Sequence, residues 1–473
     1  MTIFGYKPVI LMTDALLYLL VVITVLAIFY IRSKEHLIAP WRQVARSRLG
    51  MASAVLLSFY VVVGLVDSIH FREPIDNAVA DNGEQHYSVE ALSLLDVVLA
   101  PLRERVEVTY SAPFATHSYS KESVELEDGT KSRDYVRLQY GGAHLEDPAD
   151  RTADIVKYAV MAFILAVIIG LIVTFLLTQV YARKRQYRLS QAWREIWRGE
   201  SELPWNVMLI TFWLMTLFVV FACLTATKYH VLGTDKVGQD VLYQALKSIR
   251  TGLVIGTLST LVMLPFAVLL GILAGYFRGW VDDLIQYIYT TLNSIPSILL
   301  IAAAVLIVQA YIQSSPDMFE TQTERADVKL LFLCMILGIM SWTGLCRLLR
   351  GEAMKLREVD YIQAADAFGV PKTKVITRHI LPNVMHIVLI AVVLDFSGLV
   401  LAEAFLSYVG VGVDPTTHSW GNMINSARLE MAREPMVWWS LLAAFWFMFL
   451  LVLAANLFAD AVRDAFDPRL RQQ

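Results

Sequence analysis

The sequence predicts an all-α polytopic membrane protein of about nine transmembrane helices, with a small α+β domain outside the membrane. Of its 473 residues, 56% are hydrophobic and only 18% are charged, which is too apolar for a soluble globular protein. Nine apolar runs of roughly spanning length follow one another along the chain. The polar segments between them alternate between strongly basic and less basic, so they indicate the side on which each loop lies.

The nine runs occupy residues 16–31, 51–66, 155–180, 205–225, 251–276, 287–311, 330–349, 384–408 and 437–460. The first is preceded only by Lys7 and followed by several basic residues, which favours an uncleaved anchor over a signal peptide. With all nine runs spanning, every basic loop falls on one side. This predicts an N-terminus outside and a C-terminus in the cytoplasm.

We divide the chain into two N-terminal spans (1–66), an outer insert (67–156), two further spans (157–229) and a core (230–473). Acidic residues outnumber basic ones in the insert, which suits the outer face. We expect a helix over residues 88–106 and strands over 106–110, 123–127 and 135–140, with a turn at Asp128-Gly129. No catalytic constellation is visible there.

Between the seventh and eighth runs lies a polar segment, residues 355–383, which we call the 355–383 loop. Seven Lys or Arg lie from Arg347 to Arg378, so the loop is predicted to be cytoplasmic. Residues 361–368 favour helix, and Gly369 before Val370-Pro371 supplies a stop. The small Ala side chains would let another protein dock closely, although an ordinary helical loop explains the composition equally well.

The residues of this loop carry a resemblance. Gln363-Ala364-Ala365, Gly369 and the string "RHILPN" at 378–383 resemble the EAA loop of binding-protein-dependent ABC importer permeases, in particular the dipeptide/oligopeptide/nickel family and its C-type subunit. Gln363 stands where the general motif has Glu, and His379 where it often has Ile. The resemblance implies an ATPase-coupling role for Gln363, Ala364, Ala365, Asp366, Gly369, Arg378, His379, Leu381 and Pro382.

From residue 230 onward the resemblance is nearly continuous and implies an ABC importer (type I) permease core. "GTDKVGQD" is similar to a family motif at the periplasmic side, with Gly233, Thr234, Asp235, Gly238 and Asp240 matching and Gln239 replacing Arg. The strings at 271–285, 401–424 and 456–471 also resemble family elements. The additional N-terminal spans depart from the family's usual plan, and both "WRQVARSRLG" and "WREIWRG" resemble the lead-in to its first helix, so the counterpart of that helix stays open.

Two acidic residues fall within an apolar run. A carboxylate at membrane depth costs roughly 2.5–3.5 kcal/mol, so it should face a cavity or a partner. Asp395 is predicted to line the translocation path, the alternative being a buried hydrogen-bonded group. Glu403 is eight residues further on, close to the same helical face, and resembles a family position for which a structural role at the gate is at least as plausible.

The sequence contains no G-x-x-x-x-G-K-[ST] motif, so the chain itself is not expected to bind ATP. No catalytic triad or metalloprotease pattern is present, and His379 and His386 lack companions at metal-ligand spacing. We therefore predict no catalytic residue, no metal and no cofactor on this chain, with ATP and magnesium on partner ATPases. Nothing in the net charge of −3 points to nucleic acid.

The resemblance thus implies the permease subunit of an ABC transporter that imports di- or oligopeptides or related small solutes across the bacterial plasma membrane. The resemblance implies a second homologous permease, two ABC ATPases and an extracytoplasmic solute-binding protein as partners. An ion- or proton-coupled secondary transporter using Asp395 and Glu403 is the alternative, and it would show inverted repeats. A membrane sensor built on the insert is a third possibility, but it gives the 355–383 loop no purpose.

Overall fold

The computed structural model describes residues 6–79, 85–125, 131–314, 319 and 321–466. Helices dominate this part of the chain. They are α1 (Met12–Arg32), α2 (Glu35–Arg46), α3 (Arg48–Asp67), α4 (Leu94–Val98), α5 (Ala100–Arg103), α6 (Arg151–Arg185), α7 (Leu189–Arg198), α8 (Trp205–Ala226), α9 (Val241–Phe277), α10 (Trp280–Ser294), α11 (Ser297–Ser314), α12 (Gln322–Arg357), α13 (Asp360–Ala367), α14 (Lys372–Val375), α15 (Leu381–Val409), α16 (Trp420–Glu430) and α17 (Trp439–Phe466).

Nine helices in the described ranges are long and apolar enough to cross a membrane, namely α1, α3, α6, α8, α9, α11, α12, α15 and α17. Each coincides with one predicted run, so the prediction of nine spans is confirmed. The agreement follows from length and hydropathy alone, because a bilayer requires about 20 apolar residues per helix and little else.

The sixth run begins later than predicted. Pro265 lies inside α9, whereas Pro296 separates α10 from α11. Ile295 is extended, with ψ of 134°, because a residue before proline avoids the helical region. The sixth span therefore starts at Ser297, and α10 precedes it as a separate helix.

The described residues include seven short strands, near the N-terminus and in the segment between α3 and α6. β1 (Lys7–Val9), β2 (His70–Arg72) and β5 (Leu92–Ser93) form an antiparallel sheet in the order β1-β2-β5. β3 (Pro74–Val79) pairs with β4 (Gln85–Tyr87), and β6 (Glu122–Glu125) pairs with β7 (Lys131–Asp134). The segment contains both strands and the short helices α4 and α5, while its side of the membrane stays a prediction.

Three details of that segment differ from expectation. The helix predicted over 88–106 is restricted to α4 and α5, because residues 92–93 pair with β2. Residues 106–110 form no strand, since the backbone N–H of Glu107 bonds Gly238 O at 3.0 Å instead. The partner of β6 is residues 131–134 rather than 135–140. The predicted turn at Asp128-Gly129 lies outside the described residues.

Contacts along the chain define two compact units, each discontinuous in sequence. The first unit comprises Met1–Val9, Ala39–Thr251 and His418–Ala461, and the second comprises Ile10–Ile38, Gly252–Thr417 and Val462–Gln473. In the first unit, Trp420 and Tyr60 are almost fully buried, and the Tyr60 hydroxyl donates to Phe447 O at 2.9 Å. In the second unit, Met263, Leu349, Ile362 and Val384 belong to one apolar core.

Candidate functional site

The first candidate surface is the 355–383 loop, which lies in the second unit. Its helix α13 ends in a Schellman motif: the N–H of Val370 donates to Ala365 O and the N–H of Gly369 to Asp366 O, both at 3.0 Å. Gly369 has φ of +72°, a conformation that favours glycine. The predicted helix and its glycine stop are therefore confirmed to within one residue.

One side of α13 is anchored and the opposite side is open. Ile362 is fully buried and packs in the apolar core with Val375 and Ile380 of the same loop. Gln363, Ala364, Ala367 and Phe368 are exposed, and Phe368 has 88% of its surface accessible. The backbone is thus held from beneath, while a face of small side chains and one phenylalanine is presented outward.

Hydrogen bonds from α9 and α12 fix the position of α13. The Tyr276 hydroxyl donates to Asp366 Oδ1 at 2.8 Å, and Arg357 Nη1 donates to Tyr276 O at 2.9 Å. Gln363 bonds a residue nearby in sequence, because its Nε2 donates to Glu358 O, just before α13, at 3.2 Å. Asp366 therefore positions the helix, and Tyr276 is a contributor that the sequence motif did not indicate.

The second half of the loop leads into α15 through a π-helical turn, Ile376–Ile380, where the N–H of Leu381 bonds Ile376 O. This wider turn precedes Pro382, which cannot donate a backbone hydrogen bond. Arg378 and Pro382 are exposed, whereas His379 and Leu381 are half-buried. Asn383 Nδ2 donates to the Tyr361 hydroxyl at 3.0 Å, which ties the end of the loop to α13.

An ion pair braces α12 just before the loop. Arg350 donates from Nε and Nη2 to the two carboxylate oxygens of Asp282 at 2.6 and 2.7 Å. Asp282 lies in the first turn of α10, and its hydrogen bonds from Arg350 lower its pKa below the ordinary value despite partial burial. No local sequence pattern identifies this pair, because Arg350 and Asp282 are 68 residues apart.

The second candidate surface is the motif at residues 233–240, in the first unit. Asp240 is the N-cap of α9: its Oδ1 accepts from the N–H of Leu242 at 2.8 Å and of Tyr243 at 3.2 Å. Thr234 is fully buried and joins Ser111 by two hydrogen bonds, Thr234 N–H to Ser111 O at 3.0 Å and Ser111 N–H to Thr234 Oγ1 at 2.7 Å. The motif is therefore braced against the insert.

A histidine between two carboxylates completes that bracing. His230 Nδ1 lies 2.8 Å from Asp240 Oδ2, and His230 Nε2 lies 3.4 Å from Glu107 Oε1. Burial disfavours the charged imidazole, but its hydrogen bond with Asp240 and its attraction to the carboxylate of Glu107 outweigh burial and raise the pKa of His230 to about 9. His230 is therefore an imidazolium at neutral pH.

Glu107 also accepts backbone N–H groups from Gln139, Tyr140 and Gly141 at 2.9, 2.8 and 3.0 Å. Burial opposes its charge, yet these bonds and His230 lower the pKa of Glu107 to about 2. Of the motif, only residues 236, 237 and 239 are exposed, while Gly233, Gly238 and Asp240 are buried. The sequence pattern did not indicate roles for His230 and Glu107. The one available signal was a histidine three residues before the motif.

An ion-pair cluster around Lys247 lies about two turns further along α9, seven residues after Asp240. Lys247 Nζ is 2.6 Å from Asp67 Oδ1 and 3.1 Å from Asp96 Oδ2, and the Tyr243 hydroxyl donates to Asp96 Oδ1 at 2.8 Å. Burial opposes ionisation of Asp96, but the charge of Lys247 and the N–H of Ser93 outweigh it and lower the pKa of Asp96 to about 2. The start of α9 is thus fastened to both α3 and α4.

The two acids of α15 lie in different environments. Glu403 is 2% exposed and accepts from Ser407 Oγ at 2.7 Å, which suits a structural role. Asp395 is half-buried, and no described residue hydrogen-bonds its carboxylate. The translocation role of Asp395 stays a prediction. In the described part of the chain, no three His, Cys, Asp or Glu side chains are grouped to hold a metal ion.

Residues 267–472 match the family model of the binding-protein-dependent transport system inner membrane component. The oligopeptide transport permease OppC of Mycobacterium tuberculosis (strain H37Rv) is 31% identical over 51% of this chain and 77% of that protein. The glutathione transport permease GsiD of Pectobacterium atrosepticum is 32% identical over 51% and 73%.

A third relative matches a longer stretch. The dipeptide transport permease DppC of Alkalihalophilus pseudofirmus is 28% identical over 303 residues, which is 60% of this chain and 93% of that protein. The family match begins after residue 266, so the insert and the first four spans precede it. On these similarities, the chain belongs to the family of binding-protein-dependent transport system inner membrane components.

Proposed function

We propose that this chain is the permease subunit of an ABC transporter that imports small peptides across the plasma membrane. The relatives are named for oligopeptide, dipeptide and glutathione transport, and these substrates share amide-linked amino acids with charged termini. The family assignment and nine spanning helices in the described residues support this function over an ion-coupled secondary transporter.

The observation that carries the proposal is the preformed, solvent-exposed surface of α13. A helix held by Ile362 and capped at Gly369 is already ordered. It can therefore transmit a movement of the ATPase without a further loss of conformational entropy. We assign its exposed face to docking on one of two ABC ATPase subunits, which bind ATP and magnesium, while this chain binds no cofactor and catalyses no reaction. ATP then only has to favour one of two existing conformations of the permease.

The proposed topology follows from the basic loops. An N-terminus outside and a C-terminus in the cytoplasm put the 355–383 loop on the ATPase side and the motif at 233–240 on the outer side. A second, homologous permease and an extracytoplasmic solute-binding protein complete the assembly. In this arrangement Asp395 lines the path and meets a cationic group of the substrate, so Asp395→Asn should lower uptake without lowering assembly; unchanged uptake would reject that role.

The main experiment compares two isosteric substitutions at Gly369. Both Asp and Asn tolerate a left-handed backbone better than other residues, and no atom lies within 4 Å of a Cβ built at Gly369. Gly369→Asp therefore adds a charge to the docking face, while Gly369→Asn adds the same bulk without charge. The tagged chain is purified in mild detergent from cells that express its genomic neighbours, and ATPase recovery and peptide-stimulated hydrolysis are measured.

We expect the wild-type chain and Gly369→Asn to recover the ATPase. Gly369→Asp should bind the ATPase at least tenfold more weakly, which corresponds to about 1.4 kcal/mol of binding free energy. Equal loss in both variants would assign the effect to backbone strain. Purification of the wild-type chain without any ATPase would argue against an ABC importer.

A further inference from the structure

The short helix α7, between two spanning helices, carries a pattern of side chains that the transport function does not use. Ala192 and Ile196 are buried at 0 and 2% exposure and form the inner face. Leu189, Trp193 and Trp197 recur every four residues, and all three are exposed. A second exposed row consists of Arg194 and Arg198. The helix therefore has an apolar stripe beside a cationic one, as in helices that lie in a membrane interface.

The position of α7 in the chain requires such a location. It follows the end of α6 by three residues and precedes the start of α8 by six. Since both neighbours are spanning helices, α7 lies where the bilayer meets water, and tryptophan is enriched at that level. The Tyr181 hydroxyl donates to Glu195 Oε1 at 2.9 Å, which holds α7 against α6. The Trp193 and Trp197 rings lie 5.9 Å apart on the exposed stripe.

The charges around α7 are mostly unneutralised. Six Lys and Arg occur between residues 183 and 198, against three Glu between 195 and 202. Arg185 pairs with Glu202 at 2.5 Å, but the other five have no carboxylate partner among the described residues. These five are Arg183, Lys184, Arg188, Arg194 and Arg198. A protein surface of this kind attracts phosphate groups, and its nearest source of phosphate is the lipid headgroup layer.

A groove beside α7 offers a place for one headgroup. Its volume is about 390 Å³, and it is lined by Gln179, Ala182, Arg183, Gln186, Tyr187 and Leu189. The groove thus combines a guanidinium, amide and phenol groups with the apolar side chains of Ala182 and Leu189. Guanidinium groups bind phosphate in a bidentate manner, and the apolar side chains suit the upper part of an acyl chain.

We propose that this region binds an anionic phospholipid, with the phosphate at Arg183 and in the field of Arg194 and Arg198, and with Trp193 and Trp197 inserted beside its acyl chains. The site depends only on residues 179–198. It is independent of the transported substrate and of the 355–383 loop. Binding here would hold α6, α7 and α8 at a fixed depth in the membrane.

The test is native mass spectrometry of the full chain titrated with phosphatidylglycerol or phosphatidylcholine. The variant Arg183→Gln/Arg194→Gln/Arg198→Gln removes three cations of the site. The control Lys121→Gln/Arg133→Gln/Arg151→Gln removes three exposed cations elsewhere. We expect the wild-type chain and the control to bind phosphatidylglycerol at least about tenfold more tightly than phosphatidylcholine, with each site cation contributing about fivefold. The site variant should lose this preference.

A second variant, Trp193→Ser/Trp197→Ser, keeps every charge and should weaken phosphatidylglycerol binding about threefold or more. Equal binding of both lipids by the wild-type chain, or full retention of the preference by the arginine variant, would overturn the proposal. Unchanged binding by the tryptophan variant would overturn the interfacial geometry. If inorganic phosphate at equal concentration displaced the lipid completely, the site would be one for soluble anions and the lipid assignment would be wrong.

Discussion

The 355–383 loop and the motif at 233–240 both carry family sequence patterns, but they are built in opposite ways. In the loop, Phe368 is 88% exposed, while α13 is held from beneath by buried Ile362 and ends in its own backbone cap. In the motif, Thr234 and Asp240 are at most 1% exposed and bond to residues of the insert or to α9. A family motif can therefore act as a surface in one place and as an internal brace in another.

The difference predicts which property a substitution in each pattern should change. The loop offers its side chains to a partner, so substitutions there should affect assembly or coupling more than folding. The motif residues are buried and hydrogen-bonded within the first unit, so substitutions there should affect folding of the insert and the start of α9.

The largest effect is expected from Asp240→Ala. It removes the cap of α9 and leaves His230, an imidazolium, with Glu107 as its remaining ion-pair partner. Breaking a buried ion pair costs about 3–5 kcal/mol, so the free energy of unfolding of the first unit should fall by that order. Asp235→Ala is the matched control, since Asp235 caps an exposed turn and should cost about 1 kcal/mol. Thermal unfolding of both variants measures the difference, and equal losses would contradict a special role for Asp240.

The next comparison uses two glycines with nearly the same backbone. Gly238 has φ of +77° and Gly369 has φ of +72°. A Cβ at Gly238 would lie 1.8 Å from Glu107 O, whereas a Cβ at Gly369 meets nothing within 4 Å. Gly369→Ala should therefore cost only the left-handed penalty of about 1–2 kcal/mol. Gly238→Ala should cost about 2–4 kcal/mol, because overpacking adds to that penalty. Hydrogen exchange of the two segments measures both costs. Equal costs would mean that the backbone of the insert at Glu107 can shift at little cost in free energy.

The ion pair of His230 predicts a pH dependence confined to the first unit. The folded pKa of His230 is about 9, above its ordinary value of 6.5, so its stabilisation is complete below pH 6.5 and is lost as the pH rises through 9. We expect a loss of about 3 kcal/mol over that interval, since each pH unit corresponds to about 1.4 kcal/mol. Glu107, with its pKa lowered to about 2, acts in the opposite direction: its stabilisation is complete above pH 4.5 and is lost as the pH falls through 2.

Proteolysis of the insert at pH 6 and pH 9.5 measures the alkaline change. The variant His230→Gln has no titratable ring, so its protection should be lower at pH 6 and nearly the same at both values. A wild-type chain as well protected at pH 9.5 as at pH 6 would show that the imidazolium charge is not needed.

The sequence was sufficient for features determined by neighbouring residues. Apolar length alone predicts the nine spans, and the alanines before Gly369 predict α13 and its end. The strand predicted at 106–110 was wrong because the hydrogen bonds of that segment go to residues more than 100 positions away, such as Gly238 and Thr234. The same separation hides the Glu107–His230 and Lys247–Asp67 pairs. No local pattern distinguishes these acids from the others of an acidic insert, so their roles appear only when the chain is folded.

The smallest effect, and the one that tests how α13 is positioned, is expected from Tyr276→Phe. The substitution removes the 2.8 Å hydrogen bond to Asp366, but Asp366 is exposed and water can replace the lost donor. The stability cost should therefore be about 1 kcal/mol or less, with faster hydrogen exchange in residues 360–370. Tyr361→Phe is a matched control, because its hydroxyl accepts from Asn383 and does not contact Asp366. If only Tyr276→Phe lowers ATPase stimulation while both variants still recover the ATPase, then α9 transmits its movement to the docking helix through this bond. If both variants stimulate like the wild-type chain, the buried anchor at Ile362 is sufficient to position α13.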